Sequence, residues 1–277
     1  MIMWKFTTDM CQRQKVQEIA MVDIQKVLEV VREAAKLFAD RSAAHQIKIK
    51  GACDYVTAVD EAVQNFMKQT LGELYPHIQF MGEEDDNSGV DLNGLVWVLD
   101  PVDGTTNLIH DYQNSAISLA LMEQKEVILG VVYNPFVNEM YYAQKGKGSY
   151  LNGEQIFVSD AKTMEESLVS VGTSPYFKGE ADEIFRTFTE IYKDCQDIRR
   201  CGSAALDMAH VACGRIEAYL EKHLKIWDYA AGTLIVREAG GEVLDYTGGQ
   251  LAMEPMGNVV AGNQHIPKIL VEKYLKS

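Results

Sequence analysis

The chain has 277 residues, of which 47% are apolar and 24% charged, and a formal net charge of -14. This length allows one large domain or two closely packed ones, and the composition is that of a folded globular protein. The acidic balance argues against a nucleic-acid partner, because binding to phosphate backbones needs a basic surface.

The N-terminus and the cysteines indicate a protein of the reducing cytoplasm that does not contact a membrane. The first 20 residues hold no apolar stretch of signal-peptide length, and no run approaches the ~18 apolar residues of a membrane span. Five cysteines occur without any C-x-x-C pair. They suggest neither a disulfide framework nor a zinc cluster. The cysteines are Cys11, Cys53, Cys195, Cys201 and Cys213.

Helical and extended patterns alternate in the first half of the chain. Apolar residues at helical spacing predict one helix from Val22 to Phe38, capped near Asp23, and another from Asp60 to about Pro76. An extended step then leads to a polar loop. Further strands are predicted at 95–99, 115–122, 127–133 and 138–143, followed by a hairpin over 150–159 that turns at Asn152-Gly153.

Beyond about residue 160 the pattern changes to longer helices separated by short strands. We expect three regions in all: an extra segment at 1–20, an α+β half at 21–155 and an α/β half at 156–277. In the last of these, strands are predicted at 167–172, 217–221, 241–248 and 258–263, and helices at 179–194, at 203–213, from Asp228 onward and at 266–275.

The stretch LVWVLDPVDGTTN at 95–107 places two carboxylates at the end of an apolar strand. We expect Pro101 to stop the strand after Asp100, and Gly104 to allow a tight turn into a helix whose N-terminus could bind an anion. Carboxylates beside a phosphate repel it unless a cation lies between them, which favours Mg²⁺. The alternative is that Asp100 and Asp103 are only a strand terminus and a helix cap.

Two more acidic residues come directly after short apolar segments. Glu83 comes after IQFMG and Asp228 after LKIW. The residues 84–86 are interpreted as a solvated acidic loop. Asp228 could serve as the N-cap of the helix that follows, a role compatible with metal binding.

Three segments of the chain resemble the signature segments of the inositol monophosphatase family, a group of Mg²⁺-dependent, lithium-sensitive sugar phosphatases. They are GEE at 82–84, WVLDPVDGTTN at 97–107 and WDYAAGTLIVREAGG at 227–241. The resemblance runs from about residue 22 to the C-terminus, and its spacing also fits at 54–60 and 202–209. It implies a layered αβαβα sandwich, an α/β fold with the metal site between the two halves, and a homodimer.

The resemblance also implies a metal centre of two or three Mg²⁺ ions. Asp100 would bridge two of them, with Glu83 on the first ion and Asp103 and Asp228 on the second. The carbonyl of Val102 would complete one site. The first half of the chain would thus carry most of the ligands, and the second half would supply Asp228.

The remaining roles are implied in the same way. Asp60 and Thr105 would orient the attacking water, and Glu83 would join them as a catalytic residue through the metal. Backbone N–H groups of Gly104 and Thr105 would hold the phosphate. The full set implied to contact substrate is Asp103, Gly104, Thr105, Thr106, Gly202, Ser203, Ala204, Glu221 and Asp228.

The expected function is hydrolysis of a small phosphomonoester by metal-activated water, with inositol 1-phosphate as the first candidate substrate. Histidinol phosphate, fructose 1,6-bisphosphate and adenosine 3',5'-bisphosphate are alternatives, as is a non-catalytic metal-binding protein that works through a partner. Leu108 and Lys225 depart from the residues that many or some family members carry at these positions. Both departures bear on substrate preference.

Overall fold

Five layers stack through the molecule in the order helix, sheet, helix, sheet, helix, as a computed structural model of residues 22–51 and 54–276 shows. This confirms the expected αβαβα fold. The extra segment expected at 1–20 lies outside the described residues, as do Cys11 and Cys53. The other three cysteines are free thiols.

The helices lie close to their predicted positions. Those at 22–38, 179–194 and 266–275 begin and end within a few residues of the prediction and include short 3₁₀ or π segments. They are α1 (Ile24–Ala34), α2 (Arg41–Ala44), α3 (Ala58–Leu74), α4 (Thr105–Ile109), α5 (Ala181–Asp194), α6 (Ala204–Ala212), α7 (Ile226–Glu238) and α8 (Ile266–Leu270).

The strands form a mixed seven-stranded sheet, a mixed five-stranded sheet and a small antiparallel pair. The pair is β1 (Ile47–Gly51) with β2 (Asp54–Thr57). The larger sheet has the order β3 (Gln79–Gly82), β4 (Leu95–Asp103), β5 (Ala116–Glu123), β6 (Glu126–Asn134), β7 (Glu139–Gln144), β8 (Ser149–Leu151), β9 (Glu154–Ile156). The smaller has the order β11 (Asp197–Arg199), β10 (Leu168–Val171), β12 (Ala218–Lys225), β14 (Met256–Gly262), β13 (Glu242–Leu244).

Strand β4 shows how the first sheet is buried on both faces. Trp97 and Leu99 point into the core beneath helices α1 and α3, whereas Val96 and Val98 point into the core shared with α6 and α7. Side chains of a strand alternate between faces, so a continuous apolar run is what a doubly covered strand requires.

Helices α6 and α7 lie between the two sheets and are therefore apolar nearly all round. Glycines let this layer pack tightly: a Cβ on Gly130 of β6 would lie 2.7 Å from the carbonyl oxygen of Ala231. The outermost layer, α5 and α8, covers the far face of the smaller sheet with a third apolar core.

One local prediction was wrong. Strand β4 does not stop at Asp100 but continues through Pro101 to Asp103, with an irregular register against β5 between Asp100 and Asp103. Proline lacks an N–H but is tolerated in a strand at such a bulge. Helix α3 begins at Ala58 with Thr57 as its N-cap, so Asp60 is its third residue and lies at the helix start, as predicted.

Short elements at β1, α2 and β11 were not predicted, because segments of three to five residues carry too little periodicity. The hairpin turn at Asn152-Gly153 is confirmed, and both residues have positive φ, 52° and 94°. No described helix is long and apolar enough to cross a membrane.

Candidate active site

A pocket of about 360 Å³ lies where the two sheets approach each other. The end of β4 and the starts of α4 and α7 form one wall, and the start of α6 with strand β12 forms the other. The predicted site residues that line it are Glu83, Asp100, Val102, Asp103, Gly104, Thr105, Thr106, Gly202, Ser203, Ala204, Glu221 and Asp228.

The bulge in β4 aims two carboxylates at this pocket. The N–H of Val102 donates to Oδ1 of Asp100 at 2.9 Å, so a hydrogen bond within the irregular part of the strand fixes the Asp100 carboxylate. Gly104 follows with φ of 91°, and a Cβ there would lie 3.1 Å from the carbonyl oxygens of Asn114 and Gly202. Only glycine fits this left-handed, crowded turn.

Asp103 does not cap the helix that follows it, where Gly104 is the N-cap. Its carboxylate instead accepts from the start of α6, a hundred residues away. The Ser203 hydroxyl donates at 2.5 Å, and the N–H groups of Ala205 and Ala204 donate at 2.7 and 3.3 Å. A carboxylate at a helix N-terminus is favourable, and here it also joins the two halves of the site.

Asp60 does not line the pocket but lies behind Thr105, which does. Its Oδ2 accepts from the N–H and hydroxyl of Thr57, which closes a capping box at the start of α3. Its Oδ1 accepts from the Thr105 hydroxyl at 3.1 Å. The same hydroxyl lies 3.1 Å from the carbonyl oxygen of Val102, so it donates to one of the two.

Asp228 is the third residue of α7, so the alternative that it is the N-cap does not hold. Lys225 occupies that position, and its N–H donates to Oδ2 of Asp228 at 2.7 Å. Glu83 directly follows β3, with its N–H donating to the carbonyl of Leu99 at 3.1 Å. Both carboxylates therefore come from segment ends that adjoin the end of β4.

The electrostatics of this wall disfavour ionised carboxylates. Burial, and then repulsion from Glu83 and Asp103, raise the pKa of Asp100 well above its ordinary value. Burial, followed by repulsion from Asp103, does the same to the pKa of Asp228. The pKa of Asp103 rises to about 6, again through burial, although its three hydrogen bonds lower it.

The oxygen atoms that line the pocket are of the kind that binds a hard divalent cation, although the side chains are not arranged around one point. Among the described residues, no three His, Cys, Asp or Glu side chains are arranged to hold a metal ion. Four carboxylates and the Val102 carbonyl nevertheless line one pocket, and Mg²⁺ prefers oxygen ligands. The hydrogen bonds to Asp100 and Asp228 each use one oxygen, so rotation of these side chains could bring the other onto a cation.

The opposite wall is built around Glu221 of β12. Its carboxylate accepts from the Ser174 N–H at 2.8 Å and from the Tyr219 hydroxyl at 2.5 Å. A Cβ on Gly172 would lie 1.8 Å from Oε2 of Glu221, so glycine at 172 provides the space that this side chain fills. Burial raises the pKa of Glu221.

The sequence reasoning missed several pocket residues, including Asp207, Arg200 and Lys178. Asp207 lies on α6 with its carboxylate bonded to the Ser170 hydroxyl at 2.8 Å, and burial raises its pKa to about 7. The available signal was an acidic residue inside the otherwise apolar helix AALDMAHVA. Leu108 and Lys225, the two departures, do not line the pocket. Leu108 lies in the core beneath helices α1 and α3.

Comparison with known proteins gives consistent matches over nearly all of the chain. The model of the inositol monophosphatase family matches residues 12–277. The inositol monophosphatase of Dictyostelium discoideum is 38% identical over 261 residues, 90% of this chain and 95% of that protein. Nus factor SuhB of Escherichia coli K12 is 39% identical over 223 residues, 80% and 83% of the two chains. The structure of extragenic suppressor protein suhB from Bartonella henselae matches with a TM-score of 0.84 and 31% identity, covering 92% of this chain and 98% of that one.

Proposed function

Because the chain belongs to the inositol monophosphatase family, we propose that it is a Mg²⁺-dependent phosphomonoesterase acting on inositol 1-phosphate or a related small polyol or sugar phosphate. One observation carries the proposal: the buried carboxylates of Asp100 and Asp103 share a pocket with Asp228 and with the Thr105 hydroxyl that bonds Asp60. A phosphatase that works through metal-activated water needs this combination of cation ligands and a group that positions water.

The cation ligands in this proposal are the carboxylates of Glu83, Asp100, Asp103 and Asp228 and the carbonyl of Val102, holding two or three Mg²⁺ ions. Bound divalent cations lower the pKa of water and stabilise charge on attacking and leaving oxygens. The raised pKa of Asp100 and Asp228 supports this assignment, since positive charge is what such a carboxylate cluster lacks.

Water is oriented by the pair of Thr105 and Asp60. When the Thr105 hydroxyl donates to Asp60, its lone pairs are left to accept a hydrogen bond from water in the pocket. The pKa of Asp60 rises to about 6, mainly through burial. A carboxylate with that pKa can accept a proton close to neutral pH, which suits a general base acting through the threonine.

The phosphate and the alcohol part of the substrate occupy different walls. Backbone N–H groups of Gly104 and Thr105 face the phosphate, with Thr106 beside them at the start of α4. Glu221 accepts hydrogen bonds from hydroxyl groups of the alcohol. Gly202 and Ala204 shape the space between these walls, and the Ser203 hydroxyl is engaged with Asp103, so its role is to hold that carboxylate.

The test is release of inorganic phosphate from a panel of phosphomonoesters, each with Mg²⁺ and with EDTA. The panel contains inositol 1-phosphate, glycerol 2-phosphate, histidinol phosphate, fructose 1,6-bisphosphate and adenosine 3',5'-bisphosphate. We expect turnover that requires Mg²⁺ and is fastest with a hydroxyl-rich alcohol. Turnover in EDTA, or none on any substrate from folded protein, would contradict the proposal.

The same proposal places the enzyme in the cytoplasm as a lithium-sensitive homodimer, as the family resemblance implies. Light scattering would give the oligomeric state, and Li⁺ titration of phosphate release would give the sensitivity. A monomer at the assay concentration would remove the dimer from the proposal without affecting the chemistry.

A second candidate function is favoured by one observation, the name Nus factor of the relative from Escherichia coli. In this case the chain would act by binding a partner and not by turnover. Capture of a partner that is unaffected by Asp100→Asn, together with no phosphate release by the wild type, would support it.

A further inference from the structure

Tyr219 lies two residues before Glu221 on β12 and on the same face of that strand, because alternate residues of a strand point the same way. The tyrosine is fully buried in the core between the two sheets and does not line the pocket. A buried tyrosine hydroxyl needs a hydrogen-bond partner, and here that partner is the Glu221 carboxylate. Any effect of Tyr219 on a bound substrate must therefore pass through Glu221.

The space for the tyrosine ring comes from small residues on both sides of it. Tyr219 pairs with Ser170 of β10 and with Ala261 of β14. Side chains of paired residues on neighbouring strands lie next to each other on one face of a sheet. A serine and an alanine leave room for the ring between them, so the sheet fixes the position of the hydroxyl.

Two donors hold Glu221, one on each carboxylate oxygen. The Tyr219 hydroxyl donates to Oε2 at 2.5 Å, and the Ser174 N–H donates to Oε1 at 2.8 Å. Oε2 also lies directly against Gly172, where a Cβ would be 1.8 Å away. The carboxylate therefore cannot rotate without losing a hydrogen bond. Each oxygen keeps a second lone pair, which can accept a hydrogen bond from a substrate hydroxyl.

The protonation of both partners suits this arrangement. Burial, and then the charges of Glu221 and Asp207, raise the pKa of Tyr219, so its hydroxyl keeps its proton and remains a donor. Burial raises the pKa of Glu221, and the bond from Tyr219 is the largest of the effects that lower it. The tyrosine thus favours the ionised form of the carboxylate, which only accepts hydrogen bonds.

We propose that Tyr219 is a positioning residue, whose hydroxyl holds Glu221 in the orientation that accepts hydrogen bonds from the alcohol part of the substrate. The inference rests on the proposed phosphatase function and assigns substrate preference to a residue that does not touch the substrate. Without this hydroxyl, Oε2 loses its donor and the carboxylate can turn away from the alcohol.

A purely structural role is a different explanation for the same hydrogen bond. A buried phenol that bonds a carboxylate can stabilise the fold whether or not that carboxylate faces a substrate. Tyr141 is the matched comparison, because it is also fully buried and its hydroxyl donates to Glu139 at 2.7 Å, outside the pocket. A structural role predicts the same consequences when either hydroxyl is removed.

The experiment measures kcat and KM for inositol 1-phosphate and for glycerol 2-phosphate in the presence of Mg²⁺. The proteins are the wild type, Tyr219→Phe, the control Tyr141→Phe, Glu221→Ala and the double variant Tyr219→Phe/Glu221→Ala. Phenylalanine keeps each ring in the core and removes only the hydroxyl. Thermal unfolding followed by circular dichroism establishes that each variant is folded.

We expect Tyr219→Phe to lower kcat/KM for inositol 1-phosphate by about fivefold relative to glycerol 2-phosphate, the scale of one hydrogen bond. Most of the change should be in KM, because the hydroxyl acts on binding of the alcohol. Tyr141→Phe should lose thermal stability to a similar extent but keep the wild-type ratio. In the Glu221→Ala protein, Tyr219→Phe should not change the ratio further, because the two residues act as one unit.

The inference is overturned if folded Tyr219→Phe keeps the wild-type ratio, or if both substrates lose kcat/KM equally. It also fails if Tyr219→Phe changes the ratio as much in the Glu221→Ala protein as in the wild type.

If Tyr219→Phe does not fold, Glu221→Asp tests the same orientation with the charge retained, because the shorter side chain cannot reach both donors. A ratio as low as that of Glu221→Ala would support the inference, and a wild-type ratio would overturn it. Absence of hydrolysis of every phosphomonoester by the wild type would instead overturn the proposed function, and this inference with it.

Discussion

The two walls of the pocket are built in different ways. On the first, Asp100, Asp103 and Thr105 lie within six residues of one bulged strand and the turn that follows it. On the second, Glu221 and Arg200 come from separate segments that meet only in the folded chain. In the proposed function, the first wall holds the groups that take part in hydrolysis, and the second holds those that select the alcohol. Reaction class is therefore easier to recognise in a sequence than substrate.

Each wall combines near and distant hydrogen bonds to its carboxylates. Asp100 accepts from Val102, two residues away, and Asp103 accepts from Ser203, a hundred residues away. Glu221 accepts from Tyr219, two residues away, and from Ser174, 47 residues away. A change on the first wall should reduce turnover of every substrate. A change on the second should alter the ranking of substrates, and four variants test this division.

The largest effect is expected for Asp100→Asn. Loss of this proposed cation ligand should lower kcat by about a thousandfold or more on every substrate, the scale of removing a major electrostatic contribution to the transition state. In EDTA, the variant should unfold at a higher temperature than the wild type, because burial and neighbouring carboxylates disfavour the ionised Asp100 side chain. Asp86→Asn, in an exposed loop outside the pocket, is the matched control for both measurements.

Thr105→Val should lower kcat by about a hundredfold, the lower end of what a positioned acid or base contributes. Valine keeps the shape and removes the hydroxyl that bonds Asp60. Thr105→Ser keeps the hydroxyl and should retain most of the activity, as steady-state assays would show. Equal activity in the valine and serine variants would exclude the proposed orientation of water.

Glu221→Gln should change the preference between substrates more than the rate of hydrolysis. Glutamine keeps the acceptor that faces Ser174 but removes the charge. We expect kcat/KM for inositol 1-phosphate to fall by about tenfold relative to glycerol 2-phosphate, since a charged hydrogen bond is worth somewhat more than a neutral one. A uniform loss on both substrates would show that the division between the walls is wrong.

Asp207→Asn should have the smallest effect on turnover and a defined effect on stability. Burial raises the folded-state pKa of Asp207 from 3.8 to about 7. The stabilisation from its bound proton is complete below pH 3.8 and is lost as the pH rises through about 7. Between these limits wild-type stability should fall by about 1.4 kcal/mol per pH unit from this group.

The asparagine variant lacks this dependence, so its free energy of unfolding relative to wild type should increase as the pH rises. Urea unfolding in EDTA at several pH values measures the difference. A difference that is flat with pH would show that Asp207 titrates near its ordinary pKa.

Sequence reasoning located the first wall because local patterns determine it. The end of an apolar strand, the glycine at 104 and the carboxylates between them are consecutive. The alternative that Asp103 only caps its own helix does not hold, because the helix start that its carboxylate contacts is a hundred residues away. Arg200 and Asp207 were missed for the same reason: they reach the pocket only through the packing of α6 against β12 and the hydrogen bond of Asp207 to Ser170 of β10.

Titration calorimetry of Mg²⁺ binding tests the central claim, that the carboxylates of the first wall hold the cation, without depending on any substrate. We expect the wild type and Asp86→Asn to bind Mg²⁺ alike, and Asp100→Asn to lose most of that affinity. Binding by Asp100→Asn that equals the wild type, or no binding by the folded wild type, would contradict the account.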